Sequence, residues 1–201
     1  MKKNSQGFSL IEVLVTIVLT TVGILGMVAL QSKSIQYTQD SVNRNAAVTL
    51  ANDLIEIMRS NRDDLFANKP PLEYSYTNLL STTTIYNADG SLKLNAANCP
   101  TSGVPNTLQQ QGDCWLKQAQ ETLPDATALI GSFKVCPSFE LTTEGFADSA
   151  PKCADASYTG STLAIQVAWR SKEKICGQDS DSNSGKDSDS NICTFTTRVE
   201  L

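Results

Sequence analysis

This sequence contains six cysteines, whose side chains could form disulfides, bind a metal ion or take part in redox chemistry. They stand 15, 22, 17, 23 and 17 residues apart, and no Cys-x-x-Cys pair occurs among them. This spacing lacks the thioredoxin-like redox motif and the usual zinc-binding pattern. The even number favours disulfides made in an oxidising compartment, and we expect consecutive pairing because it closes three loops of similar length. The residues are Cys99, Cys114, Cys136, Cys153, Cys176 and Cys193.

The segment between Cys176 and Cys193 is the second place where side chains could bind something. Asp179, Asp181 and Asn183 reproduce the start of a calcium loop, but Ser184 stands where the turn glycine belongs. A further serine, Ser190, replaces the bidentate glutamate of such loops. We therefore expect a solvated hairpin tip and no metal site, with calcium binding by these three residues as the alternative.

Histidine is absent from all 201 residues. Without it, neither a Ser-His-Asp nor a Cys-His nucleophile arrangement can form, and imidazole metal ligands are missing. We expect no enzymatic activity and no cofactor. The chain has 16 basic and 21 acidic side chains, for a net charge of −5, and only 6% of its residues are aromatic. A nucleic acid partner is therefore not expected, because such binding needs clustered Lys and Arg.

Residues 8–30 form an apolar run of 23 residues in which Glu12 is the single formal charge. As a helix, this run extends about 35 Å, which is enough to cross a hydrocarbon core of about 30 Å. Lys2 and Lys3 precede it, so the positive-inside rule places the N-terminus in the cytoplasm and the remainder outside. A carboxylate inside such a run is unfavourable and points to a function for Glu12.

The residues Gly7-Phe8-Ser9-Leu10-Ile11-Glu12 resemble the class III signal of type IV pilins and pseudopilins. The resemblance implies that residues 1–7 are a leader, which a prepilin peptidase removes by cutting after Gly7. It also implies that Phe8 becomes the N-methylated N-terminus and that Glu12 occupies the family's glutamate position. In that family the glutamate pairs with the free amine of a neighbouring subunit, which sets the register of assembly.

The helix is expected to continue through residues 31–61, since no proline occurs before Pro70. Its apolar residues become periodic, in steps of 7, 4, 4, 4, 3 and 1, which is typical of one amphipathic face. We expect this face to pack on the chain's own head. The residues of this stripe are Ile35, Val42, Ala46, Leu50, Leu54, Ile57 and Met58.

The head, residues 62–201, is expected to be a sheet with one further helix over Cys114–Leu123, capped by Asp113 and stopped by Pro124. In residues 163–170 apolar side chains alternate with smaller or polar ones, which predicts a strand with one buried face. The fold class is α+β: a long N-terminal helix on an antiparallel sheet with disulfide-closed loops, as in type IV pilins. Strands are predicted at Glu73–Tyr76, Thr83–Tyr86, Leu129–Cys136, Thr162–Trp169 and Ile192–Val199.

Finer features resemble the PilV minor pilins, the type IV pilus modification proteins. The resemblance implies a minor subunit that initiates or modifies a type IV pilus (fimbrium) in twitching motility and adhesion. Its partners would be the prepilin peptidase, other minor pilins, the major pilin, a large tip adhesin and inner-membrane lipid. A pseudopilin of a type II secretion system is the alternative, and a membrane-anchored calcium-binding module is the next. The resembling segments are residues 35–47, residues 50–59, Gly112–Trp115, Val167–Arg170 and Arg198–Leu201.

Overall fold

The structure is a computed structural model that describes residues 10–67, 78–138, 153–154, 158–171 and 191–201. These residues form two compact units, one ending at Ser41 and one beginning at Val42. The helices are α1 (Leu10–Ser60) and α2 (Leu108–Thr122), and the strands are β1 (Lys134–Pro137), β2 (Thr162–Arg170) and β3 (Ile192–Glu200). Short 3-10 turns lie at Arg62–Asp64, Ala96–Asn98 and Ile130–Ser132. The long N-terminal helix and the antiparallel sheet confirm the expected α+β class.

Helix α1 is continuous, as the absence of proline predicted, but its buried face begins later than the stripe predicted. Val42 is 58% exposed, so the prediction that it packs on the head was wrong, and Ile35 in the first unit is 59% exposed. No described segment of the chain covers them. Periodicity reveals an apolar face, but not how far along a helix its partner surface extends. The buried residues of α1 are Ala47, Leu50, Ala51, Leu54, Ile55 and Met58.

The C-terminal end of α1 is held by the side chain of Asn61. Its amide nitrogen donates to the carbonyl of Ile57 at 2.7 Å and to the side-chain oxygen of Gln111 in α2 at 2.8 Å. A helix leaves its last carbonyl groups without intrahelical partners, and this amide satisfies one of them. The same side chain therefore ends α1 and connects it to α2.

Helix α2 begins six residues before its predicted start. Thr107 is its N-cap, with a side chain that accepts a hydrogen bond from the backbone of Gln110. The expectation that Asp113 caps the helix was wrong, because Asp113 lies inside α2 and is buried. Its carboxylate accepts hydrogen bonds from the backbone N–H of Asn95 at 2.7 Å and from the side chain of Gln109 at 3.1 Å. The helix ends before Pro124, as expected.

The sheet is antiparallel with the order β1-β2-β3, so β2 is its central strand. The prediction that β2 has one buried face was wrong, because all seven residues between its ends are buried. On the second face of β2, the buried polar side chain of Gln166 forms hydrogen bonds to two neighbours. Its amide donates to the carbonyl of Ser132 at 2.9 Å, and its oxygen accepts from the hydroxyl of Thr196 at 3.1 Å. The strand predicted at Leu129–Cys136 is shorter in the structure, where β1 begins at Lys134. Residues Ile130–Ser132 form a turn that lies beside the second face of β2.

A tight turn at residues 87–90 lies against the β1 edge of the sheet. Gly90 has a φ of +77°, and a Cβ atom there would lie 2.7 Å from the sulfur of Cys153. The hydroxyl and backbone N–H of Ser91 bond to Asp89 and hold the pKa of that carboxyl below its usual value. The strand predicted at Thr83–Tyr86 was wrong, as only the single bridge Tyr86–Leu92 occurs there. The strand predicted at Glu73–Tyr76 lies outside the described residues.

Two disulfides join Cys99 to Cys114 and Cys136 to Cys153. Both follow the consecutive pairing expected from the spacing. Cys193 is also disulfide-bonded. Cys176 lies outside the described residues, so the pair Cys176–Cys193 stays a prediction.

Candidate functional site: the exposed apolar half of α1

The apolar half of α1, residues Leu10–Leu30, is exposed along its whole length in this chain. Every residue of this segment is exposed, and Leu10 reaches 89%. Soluble monomers rarely expose contiguous apolar patches of more than a few hundred Å². Lipid or the apolar helices of other subunits are the environments that such a surface fits.

The hydroxyl groups within this segment are satisfied by the helix itself. Thr16 donates to the carbonyl of Val13 at 2.8 Å, and Thr21 donates to the carbonyl of Val18 at 2.8 Å. The hydroxyl of Thr20 donates to the carbonyls of Thr16 and Ile17, about one turn earlier in the helix. Because unpaired polar groups are costly in hydrocarbon, these back-bonded threonines make the segment compatible with lipid.

Glu12 is the acidic residue in the first turn of α1, among exposed apolar neighbours. A carboxylate at this end of a helix interacts favourably with the helix dipole. Within the described residues, no hydrogen bond or ion pair of Glu12 occurs. Its position leaves the carboxylate available to a group from another molecule.

Gly23 and Gly26 interrupt the apolar side chains without interrupting the helix. A Cβ atom at either position would meet nothing within 4 Å. Glycines on a helix surface allow another backbone to approach closely. The helix remains α-helical through both residues.

Length and composition alone make α1 a candidate membrane span, and among the described residues it is the single helix of this kind. A cleaved signal sequence would pass the same test, so this property by itself does not separate an anchor from a signal. In this chain the helix continues beyond its apolar half and carries the core residues of the second unit.

Four consecutive residues of α2, Gly112–Trp115, contact other segments of the second unit. The sequence did not predict that all four make such contacts. At Gly112 a Cβ atom would lie 2.6 Å from a side-chain carbon of Leu94. Asp113 binds the backbone of Asn95, and Cys114 forms the disulfide to Cys99. Trp115 donates to a carbonyl of α1. The Gly-Asp-Cys-Trp segment is short, but the partners of its residues lie far away in the chain.

Several predicted site residues lie outside the described residues. They include the cleavage-site pair Gly7 and Phe8 and the three calcium-loop residues. Where the structure describes the chain, it contains no group of three or more acidic or cysteine side chains placed to hold a metal ion. The residues outside the description are Gly7, Phe8, Cys176, Asp179, Asp181 and Asn183.

Two protein families match adjoining parts of this chain. Residues 2–28 match the family described as the prokaryotic N-terminal methylation motif. Residues 29–102 match the family described as Type IV pilin Tt1218. Over residues 2–102 the chain is therefore similar to type IV pilins. No curated protein and no solved structure matches the chain.

The two pilin matches meet at the end of the apolar half of α1. The methylation motif contains Gly7, Phe8 and Glu12, and it implies processing by a prepilin peptidase and assembly with other pilins. The second match covers the buried face of α1 and extends to the first disulfide. Pilins are structural subunits, and an apolar N-terminal helix suits both membrane anchoring and a place in a pilus. Neither match extends over residues 103–201.

Proposed function

We propose that this pilin is a minor subunit of the PilV kind, which helps to initiate assembly of a type IV pilus or modifies it. In that role it would support twitching motility and adhesion. The observation that carries the proposal is the apolar half of α1, which is exposed and has a single carboxylate, Glu12, in its first turn. The segments that resemble PilV proteins, among them Gly112–Trp115, support the minor-pilin role over that of a major subunit.

The proposed sequence of events begins in the inner membrane. The basic leader, residues 1–7, stays in the cytoplasm, residues 8–30 cross the membrane, and the head is exported. A prepilin peptidase cuts after Gly7, and the new terminus at Phe8 is N-methylated. Glu12 then pairs with the terminal amine of a neighbouring subunit, because a carboxylate in an apolar setting is stabilised by an opposite charge.

Other minor pilins, the major pilin and a large tip adhesin are the proposed partners, with membrane lipid before assembly. We place the assembled protein at the pilus, near its tip. The exposed apolar half of α1 supports partners that contribute apolar helices of their own. No nucleic acid, enzymatic activity or cofactor belongs to this proposal.

Glu12→Gln tests the assembly role. The variant should be cut, inserted and folded as the wild type is, because an amide is easier to bury than a carboxylate. Its co-purification with other pilins should fall by at least about tenfold, since an unpaired charge of the neighbour is left in an apolar site. Glu56→Gln is the matched control: it removes an exposed carboxylate of the same helix whose salt bridge to Arg59 lies at the surface.

Mass analysis of the pilus-associated protein should show N-methyl-Phe8 as the first residue. An intact Met1 in that form, or wild-type association and piliation of Glu12→Gln, would contradict the proposal. A pseudopilin of a type II secretion system shares the motif and the long helix and is the second candidate. Loss of protein secretion with normal surface pili in a deletion strain would favour it.

A further inference from the structure

The two edges of the sheet differ in how they are closed. At the β1 edge, the strand has four residues and ends at Pro137, which has no N–H to donate. Ser91 forms a bridge to Lys134, and the N–H of Val135 donates to the carbonyl of Gly90 at 2.9 Å. The turn at residues 87–90 therefore covers this edge.

The opposite edge is β3, which has nine residues. Two hydrogen bonds fix which of its backbone groups point outward. Leu201 donates to the carbonyl of Ser161 at 3.2 Å, and Ser171 donates to the carbonyl of Asn191 at 2.8 Å. Both pairs continue the β2–β3 register, in which hydrogen-bonded pairs of residues alternate with pairs that are not hydrogen-bonded. The odd-numbered residues of β3 thus face β2, and the even-numbered residues direct N–H and C=O away from it.

Thr194 and Thr196 lie at the centre of this outward series. In the part of the chain that the structure describes, no hydrogen bond joins their outward backbone groups to another segment. The side chain of Thr194 is exposed, and the hydroxyl of Thr196 is bonded to Gln166 within the sheet. The outward backbone N–H and C=O groups of Thr194 and Thr196 can therefore form hydrogen bonds with a ligand.

Natural proteins protect long edge strands with lysine, proline, bulges or a covering segment. Strand β3 contains no lysine and no proline, and its register with β2 runs without a bulge from Ile192 to Glu200. Its charged residues, Arg198 and Glu200, stand near one end. The central part of the strand has only threonine and phenylalanine, which are strong strand formers.

We propose that the outer edge of β3, centred on Thr194 and Thr196, binds an extended segment of another pilus subunit as a fourth strand. Main-chain hydrogen bonds to an exposed edge are a known way to recognise peptides. The faces of β3 define the chemistry of that segment. Phe195 and Val199 are partly buried and pack against the core from one face, whereas Thr194 and Thr196 belong to the other. The segment should therefore alternate apolar and polar residues, with the apolar ones beside Phe195 and Val199.

The choice of another subunit over a second copy of this chain rests on the proposed function. The methylation motif implies assembly with other pilins, and these are the neighbours that can supply a strand. A second copy paired through β3 is the alternative occupant, and a cross-link between two identical chains would reveal it.

Photo-cross-linking of the full-length protein in its own cells tests the proposal. A benzoylphenylalanine residue at Thr194 should cross-link to another subunit, whereas the same group at the exposed Val104 should not reach the same segment. A second probe at Glu200 should capture the same segment at a residue about six positions away, because paired strands advance together. Peptide mapping of both products gives the sequence of the captured segment and its pattern of apolar residues.

Thr196→Pro and Thr196→Val form a matched pair in the Thr194 probe background. Both lose the hydroxyl bond to Gln166, but only proline removes the outward N–H, and it leaves the ladder to β2 intact. We expect the cross-link to fall about tenfold or more with Thr196→Pro and to persist with Thr196→Val, since one edge hydrogen bond and close strand approach are lost. Retained disulfides and an unfolding temperature close to that of Thr196→Val would show that the proline variant folds.

No cross-link at Thr194, equal cross-linking in both Thr196 variants, or a product of twice the chain's own mass would overturn the proposal. The Glu12→Gln experiment reports separately on the pilin role. If that role fails while the Thr194 and Glu200 cross-links map to one alternating segment, the edge still binds a strand of another protein. If that role holds and no cross-link forms, only the edge proposal is wrong.

Discussion

The indole nitrogen of Trp115 in α2 donates a hydrogen bond of 2.8 Å to the backbone carbonyl of Leu50 in α1, 65 residues earlier in the chain. Both residues are buried, and the ring of Trp115 meets that of Phe133 edge to face, with centroids 6.2 Å apart. One side chain thus connects the head's second helix, the buried face of α1 and the residue that precedes β1.

Trp115→Phe should destabilise the head by about 1–3 kcal/mol, because it removes this hydrogen bond and part of the packed ring. Denaturant unfolding of the full chain in detergent, followed by near-ultraviolet circular dichroism, measures the change. Lys117→Ala on the exposed side of the same helix should stay within about 0.5 kcal/mol of the wild type. Equal stability of Trp115→Phe and Lys117→Ala would show that the Leu50 contact contributes nothing.

Gly90→Ala should weaken the β1 edge beside the Cys136–Cys153 disulfide and lower the stability of the head. The backbone of Gly90 has a φ of +77°, and the added Cβ would lie 2.7 Å from the sulfur of Cys153. Gly103→Ala is the control, because Gly103 has a φ of +91° but open space around it. Both variants carry the cost of a positive φ, about 1 kcal/mol, and only Gly90→Ala adds a clash. Denaturant unfolding should separate the two variants, and identical stabilities would contradict the assigned contact.

Tyr86 should remain protonated well above the pH at which a phenol ordinarily ionises. Burial raises the pKa of its phenol well above the usual value, and its hydroxyl donates to the carbonyl of Leu80 at 2.8 Å. Because the folded-state pKa is the higher one, the stabilisation is complete below about pH 10 and is lost as the pH rises beyond it. Absorbance titration of the folded protein should show the same ionised tyrosines in wild type and Tyr86→Phe up to about pH 11. A smaller signal in the variant there would contradict this prediction.

Peptide mapping without reduction should recover three cysteine pairs. Two of them, Cys99–Cys114 and Cys136–Cys153, are present in the structure. The third, Cys176–Cys193, is expected because it closes a loop between two strand candidates. On the chain-entropy estimate, closing this loop stabilises the head by about 3 kcal/mol. A peptide that joins Cys176 to any other cysteine would refute the pairing.

Features that depend on neighbouring residues could be predicted from the sequence. The apolar run and the absence of proline predicted α1, and the alternation in residues 163–170 predicted the position of β2. Two cysteine pairs followed from their spacing. One charge in an apolar segment predicts a site at Glu12, and the methylation motif around it is local in the chain as well.

Features that depend on contacts between residues far apart in the chain are seen only in the folded structure. Asp113 has the residue type of a helix cap, but a backbone N–H 18 residues earlier in the chain binds it inside α2. The second face of β2 is buried because the turn at Ile130–Ser132 and strand β3 satisfy Gln166. Ile35 and Val42 follow the apolar period of α1 and are nevertheless exposed. Periodicity reports which side chains share a face, whereas burial depends on whether another segment folds against that face.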